Sequence, residues 1–324
     1  MSWFAAVAVA LLAVTTPAPE LERARALVES GQLDEARAVL EKTAGDPALA
    51  GESLVLLTRV AALRGDHERG VEAGKQAVEL QPDSSEAHYW YAVVLRQRIS
   101  QVNKLKAMTL IGDYKEELAT AIRLDPNNLD AREEEIGFLL SAPGIAGGDV
   151  DKARPKIEEL KGLDWRRGTL MQVAMLQGAG DTEGAIKLFG ELLARFPDDH
   201  TVRLGLALTL QEAKRFKEAD QQLERLHSVD DANVKLSATY QLARSRVLGR
   251  YEQQRAVTLL ADYIAQLPAN APGLPPPAAA YWRMGQAQEQ LGQIAKAREC
   301  FEKALALDPG NEQAKKSLKA LPRG

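Results

Sequence analysis

The sequence has few of the residues that build reactive or cross-linked sites. Its 324 residues include one cysteine, Cys300, which excludes an intramolecular disulfide and a metal site built on several thiolates. The four histidines are scattered, and no two of them stand at the spacing of a zinc-binding helix. The phosphate loop, the dinucleotide fingerprint and the nucleophile elbow are missing as well. We therefore expect no catalytic residue, no metal and no cofactor.

Net charge and aromatic content are also low. The chain carries 41 lysines and arginines against 45 acidic residues, so its net charge is -4, and the two signs are mixed along the chain. No basic stripe marks a nucleic-acid partner, and we expect none. Aromatic residues make up only 5% of the chain, whereas alanine and leucine dominate. Side chains of this size suit closely packed helices.

What the sequence does contain is a repeated pattern, clearest over residues 278–311. Apolar or small residues recur three and four positions apart, a glycine interrupts the run, the spacing resumes and a proline ends it. The residues that carry the pattern are Tyr281, Met284, Gly285, Gln288, Gly292, Ala297, Phe301, Ala304 and Pro309. This spacing predicts one amphipathic helix, a tight turn and a second helix packed antiparallel on the first.

The unit is 34 residues long, recurs along the chain and resembles the tetratricopeptide repeat. The form it resembles is the one found in exported bacterial proteins. The resemblance implies an all-α fold, in which about eight antiparallel helix hairpins build a right-handed solenoid. It also implies a function in binding a protein or peptide rather than in catalysis.

The repeats divide the chain into successive segments. Residues 19–268 are predicted to form hairpins one to seven, and residues 278–311 form the last hairpin, which matches the family pattern best. Between them, the proline-rich residues 269–277 are predicted to be a stiff, extended linker. Residues 312–324 are predicted to supply a helix and a tail that cap the last hairpin.

One hairpin departs from the repeat length. The stretch from Pro82 to Pro126 is ten residues longer than one repeat, and no glycine or proline interrupts residues 85–111. We therefore predict a lengthened first helix over residues 85–111, with the turn at Gly112 and Asp113; the alternative is that the ten extra residues form a separate short helix.

The turn at residues 141–149 is also longer than the repeat requires. Its glycines could present backbone N–H groups to an anion, which would allow a small-ligand or hydrolase activity. We favour a plain turn in which Asp149 caps the next helix. Asp198, Asp199 and His200 suggest a metal site, but acidic caps are expected at this junction between repeats.

Residues 1–18 differ from the rest of the chain. An uncharged apolar run from Trp3 to Val14 precedes small residues at Thr16 and Ala18. The run is too short to span a bilayer comfortably and has the length of a signal-peptide core. We predict a cleaved signal peptide and a periplasmic or secreted bacterial protein, although the run has no lysine or arginine before it. The alternatives are an uncleaved anchor or a helix packed on the first repeat, and membrane contact is expected only if the segment is retained.

The resemblance also indicates where a partner binds. In this family the concave face is lined by fixed positions of the first helix of each hairpin, which here hold mostly neutral, amide-rich side chains. Tryptophan, tyrosine and arginine are also enriched at binding hot spots. The predicted partner-binding residues are Tyr89, Trp90, Arg96, Gln97, Gln177, Gln211, Gln241, Trp282 and Gln286. The lysine and asparagine clamp with which co-chaperones of the family hold a peptide carboxylate is absent from these positions.

Two hypotheses about function follow. The first is a non-catalytic scaffold or adaptor that binds a protein or peptide in the bacterial cell envelope. The second is a regulatory subunit of an enzyme or transport complex, either in the cytoplasm or docked on a membrane through residues 1–18. In either case the lengthened helix is the first place to look for a partner, because it carries Tyr89, Trp90 and Arg96. If it projects beyond its neighbours, its apolar side chains would also need to be covered, namely Trp90, Ile99, Leu105 and Met108.

Overall fold

The computed structural model describes residues 19–269, 271 and 273–322, and every regular element in these ranges is a helix. The first eight α-helices are α1 (Pro19–Glu29), α2 (Leu33–Thr43), α3 (Ala50–Arg64), α4 (His67–Leu80), α5 (Ser85–Ile99), α6 (Lys104–Leu124), α7 (Leu129–Ser141) and α8 (Val150–Leu163). The remaining nine are α9 (Trp165–Gly178), α10 (Thr182–Arg195), α11 (His200–Glu212), α12 (Phe216–His227), α13 (Ala232–Gly249), α14 (Gln253–Gln266), α15 (Pro277–Gln290), α16 (Ile294–Leu307) and α17 (Glu312–Ala320). The predicted signal peptide, residues 1–18, lies outside the described residues.

Successive helices pair as hairpins, for example α1 with α2, α5 with α6 and α15 with α16, and α17 follows α16. Polar side chains start many of the helices. For example, Asn128 accepts a hydrogen bond from the Ala131 N–H at 2.9 Å and so caps α7. At the other end of a first helix, Gly292 adopts a φ of +74° and reverses the chain between α15 and α16. The prediction of an all-α fold of about eight hairpins is confirmed.

The chain divides into two compact units, which we call unit 1, ending at Gly168, and unit 2, beginning at Thr169. The boundary falls within α9. Unit 1 buries apolar side chains between α1 and α8, and the largest include Leu21, Leu40, Leu56, Leu95, Tyr114 and Ile157. Unit 2 has a core that runs from α11 to α15 and includes Leu223, Leu242, Leu260 and Tyr263, while Phe301 and Leu321 are buried together near α17.

The predicted lengthened helix over residues 85–111 is wrong. Helix α5 ends at Ile99, and the extra residues lengthen the second helix of the hairpin, α6, to 21 residues. Asn103 starts α6 because its side chain accepts the Lys106 N–H at 3.0 Å. Gly112 lies inside α6 rather than at a turn, since Leu110, Tyr114 and Leu118 are buried at helical spacing on either side of it.

The proline-rich segment 269–277 is not an extended linker in its described part. Gly273 adopts a φ of +82°, and the Leu274 N–H donates to the Ala271 carbonyl at 3.2 Å, so the chain turns there. Leu274 packs on the core of unit 2, and the Tyr263 hydroxyl donates to the Pro275 carbonyl at 2.5 Å. Helix α15 begins at Pro277, one residue earlier than predicted, because proline suits the first position of a helix.

Candidate binding surface on the first helices of the hairpins

The first helices of neighbouring hairpins contact one another through side chains, and we call the surface where they meet the A-helix face. In unit 1 it is formed by α1, α3, α5, α7 and the start of α9. In unit 2 it is formed by the rest of α9 with α11, α13, α15 and α17. Each unit is described separately below.

Ion pairs connect the first helices of unit 1. Arg25 on α1 pairs with Glu52 on α3, and Arg96 on α5 pairs with Glu134 on α7. Arg167 on α9 lies 2.6 Å from Asp130 on α7, and a second carboxylate, that of Glu133, lies 3.4 Å from the same guanidinium. The charged groups on this part of the A-helix face are therefore largely satisfied by one another.

Two aromatic residues predicted to bind a partner, Tyr89 and Trp90, pack against neighbouring side chains of unit 1. The rings of Tyr89 and Trp90 meet edge to face with their centres 5.0 Å apart, and the Arg59 guanidinium lies 5.4 Å from the Trp90 ring centre. Trp90 also packs on the buried cluster around Val55, so most of it belongs to the core. Burial raises the pKa of Tyr89 to about 12, and the carboxylate of Asp130 adds to the rise.

The other predicted residues of α5 already have partners. Arg96 is 46% exposed and forms the ion pair with Glu134. Gln97 is half-buried and its side-chain oxygen lies 3.2 Å from Nδ1 of His67. Further along the chain, at the start of α6, Leu105 and Met108 are 80% and 72% exposed and form the apolar surface that was expected to need cover. The lengthened hairpin thus exposes its apolar side chains on α6 and not on α5.

Amide side chains connect the first helices of unit 2. Nε2 of Gln177 donates to the Thr209 hydroxyl at 2.9 Å, joining α9 to α11. Nε2 of Gln211 donates to the Gln241 carbonyl at 2.9 Å and to the Ser245 hydroxyl at 2.8 Å, joining α11 to α13. Gln211 is only 4% exposed, so these bonds are shielded from water. Here the predicted residues Gln177, Gln211 and Gln241 belong to one continuous set of contacts.

The last two predicted residues lie on α15. The indole N–H of Trp282 donates to the Ser317 hydroxyl on α17 at 3.1 Å. The side-chain oxygen of Gln286 accepts a hydrogen bond from Arg283 at 2.9 Å. The structure therefore places Tyr89, Trp90, Arg96 and Gln97 in unit 1, and the other five predicted residues in unit 2.

Sequence reasoning missed Arg244 and Arg283, which share their hydrogen bonds with the predicted amides. Nη1 of Arg244 donates to Oε1 of Gln211 at 2.7 Å and to Oε1 of Gln241 at 3.3 Å. A signal was present, because α13 contains no aspartate or glutamate that could neutralise an arginine from the same helix.

The turn at residues 141–149 uses its own polar groups. The N–H groups of Gly147 and Gly148 donate to the Pro143 carbonyl, both at 3.1 Å, and the Asp149 N–H donates to the Leu139 carbonyl at 2.8 Å. Asp149 caps α8, and the Lys152 N–H that it accepts is the largest cause of its lowered pKa. The anion site considered for this turn therefore has no free donors at these three positions.

The other two candidate reactive groups lie at a helix cap and inside a helix. Asp199 accepts the Val202 N–H at 3.0 Å and caps α11, as expected of a junction between repeats. Cys300 is buried in α16, and burial raises the pKa of its thiol. Among the described residues, no cluster of three or more histidine, cysteine or acidic side chains is arranged to hold a metal ion. In the same residues, no helix has both the length and the apolar character needed to cross a membrane.

Comparison with known families gives the class of protein. Models of the tetratricopeptide repeat match residues 21–85, 176–238 and 278–311. The chain is a tetratricopeptide repeat protein. No curated protein matches the sequence.

Solved structures show the same fold. A tetratricopeptide repeat protein from Parabacteroides merdae is 13% identical with a TM-score of 0.51, over 93% of this chain and 96% of that one. One from Thermus thermophilus is 18% identical with a TM-score of 0.51, over 59% of this chain and 97% of that one. Human IFIT1, in a dimer with PPP-AAAA, is 15% identical with a TM-score of 0.54, over 92% of this chain and 71% of that one. At these identities the likeness shows the fold and carries no information about the ligand.

Proposed function

We propose that this protein is a non-catalytic scaffold that binds a protein or peptide on its A-helix face and acts in the bacterial cell envelope. Tetratricopeptide repeat proteins generally bind protein partners, and the fold supports that class of function. The finer proposal rests on the chemistry of the A-helix face in unit 2.

The observation that carries this proposal is the orientation of two amides. The side-chain oxygens of Gln241 and Gln286 accept hydrogen bonds from arginines at 3.3 Å and 2.9 Å. Their Nε2 groups make no hydrogen bond within the described part of the chain and are left to donate. Because an extended peptide presents a carbonyl at every residue, such amides suit the recognition of a peptide backbone.

Photocrosslinking tests where the ligand binds. A photoreactive amino acid is placed at Gln241 or Gln286, and in control proteins at Leu80 or Leu307, which are exposed on the second helices α4 and α16. We expect the two positions on the A-helix face to capture the same proteins in the native cell and the controls to capture none of them. A further variant carries the photoreactive group at Leu105. Capture only from Leu105 would place the binding surface on α6 and contradict the proposal.

The envelope part of the proposal rests on residues 1–18, the predicted signal peptide. An exported protein would be found in the periplasm or medium with a mass that lacks this segment. A cytoplasmic protein that keeps Met1 would instead favour the alternative function, a regulatory subunit of an enzyme or transport complex. Fractionation of the native cell followed by intact-mass measurement separates the two.

A further inference from the structure

The first helices of unit 2 carry almost no acidic residues. Helix α13 has none over its 18 residues, and α11 and α15 each have a single glutamate, Glu212 and Glu289, in their last turn. By contrast, α7 of unit 1 carries four acidic residues within 13 positions. A cation on the A-helix face of unit 2 therefore has few carboxylates that could neutralise it.

Two arginines lie on this neutral surface, Arg244 on α13 and Arg283 on α15. Both are half-buried, and their hydrogen bonds go to the uncharged side chains of Gln211, Gln241 and Gln286. The Arg283 guanidinium also lies over the Trp282 ring, with its carbon 4.3 Å from the ring centre. Neither guanidinium forms an ion pair with a carboxylate in the described part of the chain.

The environment of Arg283 disfavours an isolated positive charge. Its Nε is buried and has no hydrogen-bond partner among the described residues. Burial lowers the pKa of Arg283, Tyr240 opposes this change, and Arg244 lowers the pKa further. Since a buried charge without a counter-charge is costly, and two like charges add to that cost, an anion bound at this surface would be favoured.

We propose that Arg244 and Arg283 bind carboxylates of an acidic peptide segment, so that unit 2 selects acidic ligands. The planar guanidinium group can donate two parallel hydrogen bonds to one carboxylate. The free amide nitrogens of Gln241 and Gln286 lie beside the two arginines and can bond the peptide backbone on either side. This inference rests on the proposed function, because it names the chemistry of the ligand at the same surface.

A peptide carboxylate fits this surface better than a nucleic acid does. A nucleic-acid strand carries a phosphate at every nucleotide and is held by a row of cations and stacking aromatic rings. The surface described here offers two guanidiniums, and the Trp282 ring is already covered by one of them. The remaining polar groups are amides, whose donors match peptide carbonyls.

Unit 1 provides an internal contrast. Arg96 and Arg167 stand on the same face of their own unit, but each is paired with a carboxylate of α7. A ligand carboxylate would have to displace those partners, whereas at Arg244 and Arg283 it would displace none. The selectivity is therefore assigned to unit 2.

The test begins with a random-sequence peptide library displayed on phage and selected on the immobilised full chain. The selected peptides are then measured for affinity to the wild-type protein and to Arg244→Gln, Arg283→Gln and Arg255→Gln. Arg255 is an exposed arginine on α14, a second helix, and serves as the matched control. We expect the peptides to be rich in aspartate and glutamate and each variant at Arg244 or Arg283 to bind about ten- to hundredfold more weakly. Arg255→Gln should bind like the wild type.

A second measurement changes the peptide and uses the wild-type protein, so its result does not depend on whether a variant folds. Each acidic residue of a selected peptide is replaced in turn by its amide, and one replacement should weaken binding to the wild type by the same factor as the arginine variants. Combined with Arg283→Gln, that replacement should cause little further loss, because the two groups would act as a pair.

The outcomes distinguish the inference from the proposed function. Peptides that lack acidic residues and bind Arg244→Gln and Arg283→Gln as well as the wild type would overturn the inference and leave peptide binding in place. A selection that yields no peptide would remove both. Displacement of the acidic peptides by inorganic phosphate or a short oligoadenylate at equal concentration would show that the pair prefers phosphate, and would also overturn the inference.

Discussion

The two units join their first helices by different chemistry. In unit 1 the contacts are ion pairs such as Arg96 with Glu134, in which the arginine is about half exposed. In unit 2 they are hydrogen bonds of amide side chains, centred on the buried Gln211, which also accepts one from Arg244. Exposed ion pairs contribute little free energy and weaken in salt, whereas buried hydrogen bonds are costly to break. The first helices are thus held together by exposed, salt-sensitive ion pairs in unit 1 and by buried hydrogen bonds in unit 2.

A buried ion-pair cluster in unit 2 joins a first helix to the second helix of the preceding hairpin. Arg246 on α13 is 6% exposed and lies 3.4 Å from Asp220 and 2.9 Å from Glu224, both on α12. These charges hold α13 against the preceding second helix. Asp220 and Glu224 are thus paired with Arg246, whereas Arg244 and Arg283 form no ion pair with a carboxylate in the described part of the chain.

The largest effect is expected at Arg246. Arg246→Met would leave the Asp220 carboxylate buried beside α13 without its counter-charge, and we expect a loss of about 3–5 kcal/mol in the free energy of unfolding. Arg64→Met in unit 1 removes the pair with the exposed Asp34 and should cost less than about 1 kcal/mol. Urea unfolding measures both. Equal losses would show that the two units do not differ in how they use charge.

The next largest effect is expected at Gln211. Gln211→Leu removes the partner of the buried Ser245 hydroxyl and the acceptor of Arg244, which should cost roughly 1–3 kcal/mol. Native-state hydrogen exchange of α11 and α13 measures this loss where it occurs. Gln97→Leu in unit 1 is the matched control and should cost less, because water can replace it at the half-buried His67. A larger loss for Gln97→Leu would reverse the comparison.

A smaller effect is expected at the Arg96–Glu134 pair. A double-mutant cycle with Arg96→Gln and Glu134→Gln should give a coupling of roughly 0.2–1 kcal/mol at low salt. The coupling should vanish at high salt because the arginine is open to solvent. The corresponding cycle with Gln211→Leu and Ser245→Ala should not change with salt. If it did, the contact in unit 2 would also depend on charge.

The smallest effect is a difference in pH dependence at Asp220. Burial raises the pKa of this carboxyl, so the folded protein holds the proton more tightly than the unfolded chain does. Its contribution to stability is therefore full below the ordinary carboxyl pKa and is lost as the pH rises through the raised value. Other carboxyls, such as Glu218, have lowered pKa values and give the opposite slope. Urea unfolding of the wild type and Asp220→Asn over mildly acidic pH isolates the contribution of Asp220 to the free energy of unfolding. If the difference in free energy between the two proteins did not change with pH, this prediction would be wrong.

Much of the fold could be predicted because each hairpin is encoded locally. Glycine turns, buried alanines and apolar residues at helical spacing stand within one repeat, so no distant contact is needed to recognise them. The error at residues 85–111 has a local cause as well. No glycine or proline marks the end of α5, and only the Asn103 side chain and the buried face of α6 place the break.

Less of the candidate site could be predicted. The family pattern for first helices predicted Gln211, Gln241 and Gln286 as binding residues. The structure places them on α11, α13 and α15 of unit 2, and their role in binding stays a prediction. The arginines between them were missed because the pattern of one helix does not tell which side chain a neighbouring helix will neutralise. Trp90 packs on the buried cluster of Val55 and Ala77, a contact that the pattern of α5 alone does not reveal, and its role in binding also stays a prediction.

The sequence by itself determined that this chain is a stack of helical hairpins, because the period, the turns and the caps are all set within some thirty residues of one another. Only the tertiary structure decided which charges are paired. Arg96 and Arg167 meet the carboxylates of α7, whereas Arg244 and Arg283 meet amides, since pairing depends on the helix that packs alongside.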